Sequence, residues 1–386
     1  MMKSFTYHQP TEIIFGSGKV NEVGEVVKKY GTRCLVVTTP AVEATLPMYN
    51  KVKQLLEDAG ISVAHYDQVI PNPTTEVSAE GAKMAIEHRA DVILGLGGGS
   101  SMDAAKAIAV EASHEGSAWD YLFYKKPPTE KTLPIVSISS TSGTGSQVTQ
   151  VSVITNTEER DKSALYHPLI FPDACIVDPE LMTTLPRFVT ATTGFDVFCH
   201  AFESAIHPNR GAYVDLLAWE AIEYVAEFLP KVLDEPKNVA YREKMAWADT
   251  LAGLCIASAG VTLPHGMGMA IGGMYPHVAH GESLAIVYPA CTRFTADSAP
   301  EQYGRMAQLF DSDLKGLSLE EASKHAESAV IKFLKKIGLY KKLSDVNMPE
   351  AEIEALAEQC MVLPDYESNP KVATKAEMIE LVKASY

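Results

Sequence analysis

Asp196 and His200 are an aspartate and a histidine four residues apart, and both residue types can bind a metal ion. On an α-helix this spacing places both side chains on one face, about 6 Å apart. The residues beside them, such as Val197 and Phe198, are mostly apolar, which predicts a buried helix. A buried carboxylate is costly unless its charge is offset. The pair therefore indicates either a divalent metal site or a hydrogen-bonded Asp–His pair.

Three more histidines, His265, His277 and His280, lie close together in a segment rich in glycine and methionine. They could supply further imidazole ligands to a metal held by Asp196 and His200. Residue types alone leave open which of them do so. A set of imidazoles and one carboxylate suits a borderline divalent metal, and ligand chemistry does not separate iron from zinc.

Two polar turns follow predicted strands in the first half of the chain. One is Gly97-Gly98-Gly99-Ser100, after the apolar run 92–96, and the other is the glycine and hydroxyl run 139–146, after 135–138. Glycine lets the backbone approach a ligand, and a helix N-terminus offers N–H groups to an anion. The first turn lacks the third glycine of the dinucleotide fingerprint. Because ligands bind at the carboxyl edge of parallel sheets, the turns predict a dinucleotide site, with purely structural turns as the alternative.

Predicted strands alternate with predicted helices over residues 1–186. The strand patterns cover residues 13–15, 34–38, 61–69, 91–96, 135–138, 151–155 and 174–177. Such alternation predicts a parallel sheet with helices on both faces. The charged run 158–162 is expected to be mostly a solvated hairpin tip.

Residues after Pro186 show helical periodicity and no convincing strand. The helical patterns cover residues 187–206, 214–229, 240–258, 282–295 with a break expected at Pro289, 319–337, 350–359 and 375–385. We therefore predict an α/β domain over residues 1–186 and an all-helical domain over residues 187–386.

Composition and charge exclude several classes of partner. The formal net charge of −16 argues against sequence-independent nucleic-acid binding and against attraction to anionic membranes. The six cysteines form no Cys-x-x-Cys pair, which favours free thiols in a reducing compartment. The N-terminus shows no secretory signal, and no uncharged apolar run reaches about 18 residues. We expect a cytoplasmic protein without nucleic-acid or membrane partners.

Several motifs together resemble the iron-containing (group III) alcohol dehydrogenase family, in its propanediol oxidoreductase and short-chain alcohol dehydrogenase branch. The motifs are Gly97-Gly98-Gly99-Ser100-x-x-Asp103-x-x-Lys106, Thr141-Ser142-Gly143-Thr144-Gly145-Ser146-x-Val148-Thr149, Pro71-Asn72-Pro73-Thr74, Gly194-x-Asp196-x-x-x-His200, His265-Gly266 and His280-Gly281. They occur in the family order, and the resemblance covers essentially the whole chain.

The resemblance implies a dinucleotide-binding Rossmann-like domain followed by an all-helical metal-binding domain, the dehydroquinate synthase-like fold, with the active site in the cleft between them. It implies four metal ligands, usually to Fe(II) and sometimes to Zn(II): Asp196, His200, His265 and His280. It also implies a cofactor site made of Thr39, Asn72, Gly98, Gly99, Ser100, Asp103, Thr141, Thr144, Val153 and Lys162. A homodimer is a further family expectation.

The chain departs from the family pattern at three places. Family members similar to it often carry a histidine four residues after the third ligand, where this chain has Met269. The spacing to His280 is one residue longer than usual, which leaves His277 as a rival ligand, although Gly281 after His280 favours the latter. NAD-preferring members often have an acidic residue where Thr39 stands, so NADP remains an alternative to NAD.

The activity implied by the resemblance is hydride transfer between a small primary alcohol and NAD(P), which gives the aldehyde, and its reverse. The metal would lower the pKa of the alcohol and polarise the aldehyde carbonyl. A related sugar-phosphate or polyol enzyme, such as a glycerol-type dehydrogenase, is disfavoured because residues 263–285 contain no lysine or arginine. A catalytically silent nucleotide-binding protein is disfavoured by the complete ligand set.

Overall fold

A computed structural model describes residues 4–386, which form two compact units. The α/β unit comprises His8–Pro186 and Pro236–Gly253. The helical unit comprises residues 4–7, Arg187–Glu235 and Leu254–Tyr386. The predicted division of the chain into two domains at residue 186 stays a prediction.

The α/β unit contains a six-stranded parallel sheet and a separate two-stranded hairpin. The strands are β1 Glu12–Phe15, β2 Arg33–Val37, β3 Ser62–Tyr66, β4 Val92–Gly97, β5 Ile135–Ser139, β6 Val151–Asn156, β7 Asp161–Tyr166 and β8 Ala174–Val177. The large sheet has the order β1-β8-β5-β4-β2-β3, and every neighbouring pair is parallel. The apolar runs of the inner strands β2, β4, β5 and β8 are buried, as expected of a parallel sheet covered on both faces, whereas those of the edge strands β1 and β3 are mostly half-buried. The predicted fold class is confirmed.

The β6–β7 hairpin is antiparallel, and its turn lies between Asn156 and Asp161. Charged residues at this tip were expected, but the sequence did not predict β7, which begins inside the charged run. Three of the six residues of this strand are buried, and they are Lys162, Ser163 and Leu165. Because Lys162 is charged but buried, the hydrophobic pattern of the sequence did not indicate this strand.

The helices of the α/β unit begin and end at recognisable signals. They are α1 Val23–Lys28, α2 Leu46–Asp58, α3 Thr75–His88, α4 Gly99–Glu111 and the first part of α7 Val239–Ser258. Thr74 caps α3 by accepting a hydrogen bond from the Val77 amide, and Arg89 ends this helix in the left-handed conformation. The α4 helix follows β4 directly, with Gly98 as its N-cap residue and no side-chain cap. Its first amide groups therefore have no capping side chain.

The strand register places the two polar turns side by side. Gly97, the last residue of β4, pairs with Ser139, the last residue of β5. The turn after β4 and the turn after β5 thus leave the sheet from adjacent positions at the same edge. This adjacency is what the two-turn cofactor prediction requires.

The helical unit is built of helices only within its described residues, as predicted. They are α5 Arg187–Ile206, α6 Ala212–Asp234, the end of α7, α8 Leu263–Met274, α9 His280–Thr295, α10 Pro300–Phe310, α11 Leu319–Ser323, α12 Ala326–Ile337, α13 Ile353–Gln359 and α14 Lys375–Ser385. The core around α8 contains Leu263, Met267 and Ile271, packed with apolar residues of α9, α13 and α14. Methionine at helical spacing therefore serves packing in this unit.

Two helix predictions in this unit were wrong. The α9 helix continues through Pro289 without the expected break. Proline removes one backbone hydrogen bond, but α9 is buried on both sides of Pro289, so its packing outweighs that loss. The single helix expected over residues 319–337 is two helices, α11 and α12, which are separated by Lys324 and His325.

No single helix among residues 4–386 has the length and hydropathy of a membrane span. The α7 and α8 helices pass that test only as a pair, by length and composition, and they are bent by 100° relative to each other.

Candidate metal centre and cofactor turns

The α5 helix carries Asp196 and His200 on one face and aromatic residues on another. Phe198 stacks on Phe202, with ring centroids 5.5 Å apart, and makes an edge contact with Tyr288. These contacts bury the helix, and both Asp196 and His200 are buried with it. Nε2 of His200 lies 3.7 Å from Oδ1 of Asp196. The spacing in the sequence thus produces the expected pair.

Two further imidazoles approach the same carboxylate oxygen. Oδ1 of Asp196 lies 3.6 Å from Nε2 of His265 and 3.8 Å from Nε2 of His280. His265 is in the first turn of α8, and His280 is the first residue of α9. The rings of His200 and His265 stack with their centroids 4.6 Å apart. Residues from three helices therefore direct three ring nitrogens at one oxygen atom.

The spacing of these atoms fits a divalent metal ion. Ligand atoms of Asp196, His265 and His280 all lie within 4.8 Å of one another. Four ligands placed tetrahedrally at about 2.1 Å from a metal are about 3.4 Å apart. Oδ1 of Asp196 and Nε2 of His265 are buried and have no hydrogen-bond partner. Buried polar atoms are usually paired, and one cation would satisfy both.

His277, the rival ligand, lies elsewhere. Its Nε2 is 2.9 Å from the backbone carbonyl oxygen of Val346, and its side chain is exposed. Its ring makes an edge contact with Tyr275, with centroids 6.4 Å apart. The structure therefore brings His280, and not His277, to Asp196.

The electrostatics of these side chains favour a positive charge beside the Asp196 carboxylate. Burial opposes ionisation of Asp196, but attraction to His200 and His280 outweighs it and lowers the pKa of Asp196. Burial likewise lowers the pKa of His265, whereas the Glu203 and Asp196 carboxylates raise it, with a net result of about 10. The Asp196 and Glu203 carboxylates thus attract positive charge to the position of His265.

Glu203 is a residue of the centre that sequence reasoning missed. It is fully buried, and its Oε1 lies 2.7 Å from Nδ1 of His265. It follows Asp196 by seven residues and His200 by three, which places all three on one face of α5. That i, i+4, i+7 spacing was the signal that could have identified it.

Asp365 is a second acidic residue near the centre that the sequence did not indicate. A Cβ built on Gly266, which follows His265, would lie 3.5 Å from the Asp365 Cβ. Burial raises the pKa of Asp365 to about 6, with His265 acting against this and Glu203 adding to it. Met269, one turn after His265, is buried and supplies no titratable group.

The first polar turn is closely packed against the second. A Cβ on Gly99 would lie 2.4 Å from Cγ2 of Thr144, and one on Gly98 would lie 3.1 Å from Cγ2 of Thr141. Gly97 has φ 149°, which disfavours a side chain there. These glycines are therefore needed for contact between the turns, whether or not a ligand is bound.

The amides of the second turn bind a carboxylate of the protein itself. Oδ1 of Asp249, on α7, accepts hydrogen bonds from the amides of Gly143 and Gly145 at 2.8 and 2.9 Å. Its Oδ2 accepts one from Nε2 of Gln147 at 2.8 Å. Sequence analysis missed Asp249, because it lies more than 100 residues after the turn. The second turn is therefore shaped by Asp249 from within the α/β unit.

Asp103 and Lys106 connect α4 to the second turn and the hairpin. Asp103 accepts hydrogen bonds from Oγ of Ser146 at 2.6 Å and from the amide of Val153 at 3.1 Å. Nζ of Lys106 donates to the carbonyls of Ser146 and Val151, both at 2.7 Å. Burial lowers the pKa of Lys106 to about 8, although Asp103 acts against it. The Asp103 carboxylate, which was expected to contact the cofactor, thus accepts hydrogen bonds from groups of the protein itself.

The other predicted cofactor residues also lie in the α/β unit. Nζ of Lys162 donates to Oδ1 of Asn72 at 2.9 Å, and Asn72 has a left-handed φ of 54°. Oγ1 of Thr39, which follows β2, lies 3.0 Å from the hydroxyl of Tyr49. Ser100 is half-buried in the first turn of α4. Thr39 and Asn72 follow β2 and β3, so they join the polar turns at the carboxyl edge of the sheet.

Both halves of the chain match known protein families. Residues 10–179 match the family described as iron-containing alcohol dehydrogenase, and residues 190–386 match the C-terminal family of Fe-containing alcohol dehydrogenases. A choline dehydrogenase of Bacillus subtilis (strain 168) is 34% identical, over 96% of this chain and 92% of the relative. An NAD-dependent methanol dehydrogenase of Bacillus methanolicus is 30% identical, over 97% of this chain and 98% of the relative.

A solved structure has closely similar architecture. It is an alcohol dehydrogenase from a halo-thermophilic archaeon of a Red Sea brine pool, with a TM-score of 0.95 and 36% sequence identity. The similarity covers 100% of both chains.

Proposed function

Because this chain belongs to the iron-containing alcohol dehydrogenase family, we propose that it interconverts a small primary alcohol and its aldehyde. Metal-dependent alcohol oxidoreduction is the activity of the family, and one relative is named an NAD-dependent methanol dehydrogenase. The observation that supports the proposal most directly is the convergence of three imidazole nitrogens on Oδ1 of Asp196.

We assign the metal to Asp196, His200, His265 and His280. A divalent cation bound there supplies Lewis acidity, which lowers the pKa of an alcohol hydroxyl and polarises a carbonyl group. The chain's part is to keep the imidazole nitrogens directed at one point and to bury them. Iron is the metal of the family, and Zn(II) is the alternative that this ligand set also suits.

The cofactor site is proposed at the turns that follow β4 and β5. The N-terminus of α4, at Gly98, Gly99 and Ser100, suits the pyrophosphate because this helix has no side-chain cap. Residues proposed to line the remaining groove are Thr39, Asn72, Thr141, Thr144, Val153 and Lys162. Asp103 would act indirectly, because its oxygens bond Ser146 and the Val153 amide.

Anaerobic reconstitution tests the proposed activity. The purified chain is freed of metal, loaded with Fe(II) or Zn(II), and assayed with a series of primary alcohols and aldehydes and both nicotinamide cofactors. We expect metal-dependent turnover of short primary alcohols with NAD and of their aldehydes with NADH. Turnover that is equal in the metal-free and metal-loaded proteins would contradict the proposal.

A cationic primary alcohol is a second candidate substrate, favoured by the position of Asp365. This carboxyl group lies near His265, and no ion pair joins it to a lysine or arginine within residues 4–386. One relative is named choline dehydrogenase. The test compares choline with its neutral isostere 3,3-dimethylbutan-1-ol in the wild type and in Asp365→Asn. A preference for choline that Asp365→Asn removes would support this candidate, and equal use of both alcohols would exclude it.

We further propose a homodimer in a reducing compartment, the cytoplasm. All six cysteines are buried free thiols, which suits such a compartment. The dimer is an expectation from the family. Sedimentation velocity of the metal-loaded protein would test it, and a monomer at micromolar concentration would contradict it.

A further inference from the structure

The carboxylate of Glu203 connects the metal ligands of two helices. Glu203 is on α5, the helix of Asp196 and His200, and its Oε1 lies 2.7 Å from Nδ1 of His265 on α8. The side chain of Glu203 is fully buried, and that of His265 nearly so. A distance this short between a carboxylate and an imidazole is typical of a charge-assisted hydrogen bond.

The second oxygen of Glu203 binds the start of α8. Oε2 accepts hydrogen bonds from the amide of Thr262 at 2.8 Å, the hydroxyl of Thr262 at 3.3 Å and the amide of His265 at 3.4 Å. Thr262 is the N-cap residue of α8 but provides no side-chain cap of its own. Glu203 therefore supplies the cap from a neighbouring helix, where a negative charge is also favoured by the helix dipole.

We infer that Glu203 is a positioning residue for the metal centre: it fixes both the place and the tautomer of His265. The inference rests on the proposed function, because it requires the metal to be bound by Asp196, His200, His265 and His280. A carboxylate at Nδ1 keeps the proton on that nitrogen, so Nε2 is left unprotonated and able to bind a metal ion shared with Asp196. The cap on α8 holds the ring at the required distance.

Charge balance supports the same role. Asp196 and Glu203 lie within ion-pair distance of His265, and together they would neutralise a divalent cation bound by neutral imidazoles. Without Glu203, Asp196 would be the single carboxylate within ion-pair distance of the imidazoles, and a doubly charged ion would be less well compensated in a dry environment. The carboxylate thus favours the metal-bound state through charge as well as through geometry.

The decisive variant is Glu203→Gln, which preserves shape and removes one acceptor. A carboxylate accepts hydrogen bonds on both oxygens, whereas an amide has one acceptor oxygen and one donor nitrogen. If the amide oxygen binds the start of α8, the NH2 group faces Nδ1 of His265 and favours the tautomer with the proton on Nε2. If the oxygen faces Nδ1, the NH2 group opposes the amide of Thr262. Either arrangement weakens the metal centre.

Ser204→Ala is a matched control on the same helix. Oγ of Ser204 donates to the carbonyl of Gly260 at 3.0 Å, so this variant also loses a buried hydrogen bond to the segment before α8. Among the described residues, the side-chain hydrogen bond of Ser204 goes to Gly260 and not to His265. Its loss should lower the melting temperature of the protein without added metal and leave metal affinity unchanged.

The experiment measures Zn(II) dissociation constants by competition with a chromophoric chelator for the wild type, Glu203→Gln and Ser204→Ala. We expect Glu203→Gln to weaken Zn(II) binding about 10- to 100-fold, the usual effect of losing a carboxylate partner of a ligating histidine. Ser204→Ala should remain within about twofold of the wild type. Equal affinity of Glu203→Gln and the wild type would overturn the inference, as would equal losses in both variants.

Two further readouts separate positioning from general structural damage. The Co(II)-loaded Glu203→Gln protein should show altered ligand-field absorption bands, whereas Ser204→Ala should show those of the wild type. The rise in melting temperature on adding Zn(II), measured for each variant against its own metal-free form, should shrink for Glu203→Gln alone. If the wild type binds none of Zn(II), Co(II) and Fe(II), the metal centre itself is contradicted, and with it the proposed function. If the wild type binds metal and Glu203→Gln binds it equally well, only this inference is contradicted.

Discussion

Oδ1 of Asp249 accepts a hydrogen bond from the amide of Gly145 at 2.9 Å, across 104 positions of the sequence. The same oxygen accepts one from the amide of Gly143, so one carboxylate holds two amides of the turn after β5. Gly145 has a left-handed φ of 62°, and a Cβ there would lie 2.4 Å from Cα of Gly253 on α7. The shape of this turn therefore depends on α7, which sequence analysis had assigned to the helical domain.

Asp249→Asn should loosen this turn. The amide of asparagine keeps one acceptor oxygen, and its NH2 group would face Nε2 of Gln147, where Oδ2 now accepts. We expect a loss of about 1–3 kcal/mol in unfolding free energy, from a buried donor left without an acceptor. We also expect weaker NADH binding. Urea unfolding and fluorescence titration would measure the two effects, and unchanged values in both would show that Asp249 does not shape the turn.

Asp196→Ala and His200→Ala should lose bound metal and activity together while the fold survives. Each removes one ligand from a centre whose other ligands remain in place, and we expect metal affinity to fall roughly a hundredfold or more. Elemental analysis and circular dichroism would measure metal content and fold. A variant that stays metal-free yet keeps normal turnover would refute the assignment.

The fourth ligand is tested separately. His280→Ala should cost far more metal affinity than His277→Ala, because only His280 lies near Asp196, whereas His277 contacts the carbonyl of Val346. Both variants remove an imidazole from the same loop and helix start, so each serves as the control for the other. The reverse order of affinities would move the ligand to His277.

Gly98→Val should raise the dissociation constant of the cofactor sharply. A branched side chain would stand where the pyrophosphate is proposed and would press on Thr141, 3.1 Å from the position of its Cβ. Gly316→Val is the control, because a Cβ there meets nothing within 4 Å. Calorimetric titration with NADH that finds equal affinity in Gly98→Val and the wild type would show that the glycine turn is only structural.

The protein should discriminate only weakly between NAD(H) and NADP(H). Thr39 offers no carboxylate to repel a 2′-phosphate, and its hydroxyl is close to that of Tyr49. We expect NAD(H) to be preferred over NADP(H) by less than about 100-fold in kcat/KM, or about 2.7 kcal/mol. Thr39→Asp should widen this preference by charge repulsion. Steady-state kinetics with both cofactors would measure it.

Lys53 is a cation near His65, a residue of the strand next to β2. Lys53 lies close enough to His65 to help burial lower the pKa of that imidazole, and His65 contacts Oγ1 of Thr38 at 2.8 Å. If the Lys53 ammonium contributes to binding a 2′-phosphate at this strand end, Lys53→Met should reduce NADP use and leave NAD use unchanged. If the wild type strongly prefers NADP and Lys53→Met does not change that preference, the prediction of weak discrimination at the end of β2 is contradicted.

Alkaline pH should destabilise the fold through its buried thiols. Burial raises the pKa of Cys175 to about 12 and raises those of Cys34 and Cys360 as well. Above about pH 8.5 the unfolded chain loses thiol protons that the native chain retains, so unfolding free energy falls by about 1.4 kcal/mol per pH unit per thiol. Urea unfolding between pH 8 and 10 would measure this. In Cys175→Ala, the unfolding free energy should fall less steeply with pH, by the contribution of one thiol. An unchanged pH dependence would show that the Cys175 thiol does not contribute.

Local patterns in the sequence predicted much of this protein. Alternating apolar strands and helices predicted the parallel sheet, because a strand covered on both faces requires a continuous apolar run, as in β2. The four-residue spacing of Asp196 and His200 predicted a shared helix face, because the helical repeat is a property of the backbone. The glycine runs predicted close backbone approach, and in the structure they bring the turns after β4 and β5 together.

Only the tertiary structure decided how distant residues combine. It directed His265 and His280 at Asp196, placed His277 elsewhere, and brought Glu203 to the ring of His265. Side-chain contacts of this kind depend on how helices pack, and helix packing is set by many apolar contacts that no local pattern encodes. A buried carboxylate can be recognised in a sequence, but the partner that neutralises it is determined by the folded chain.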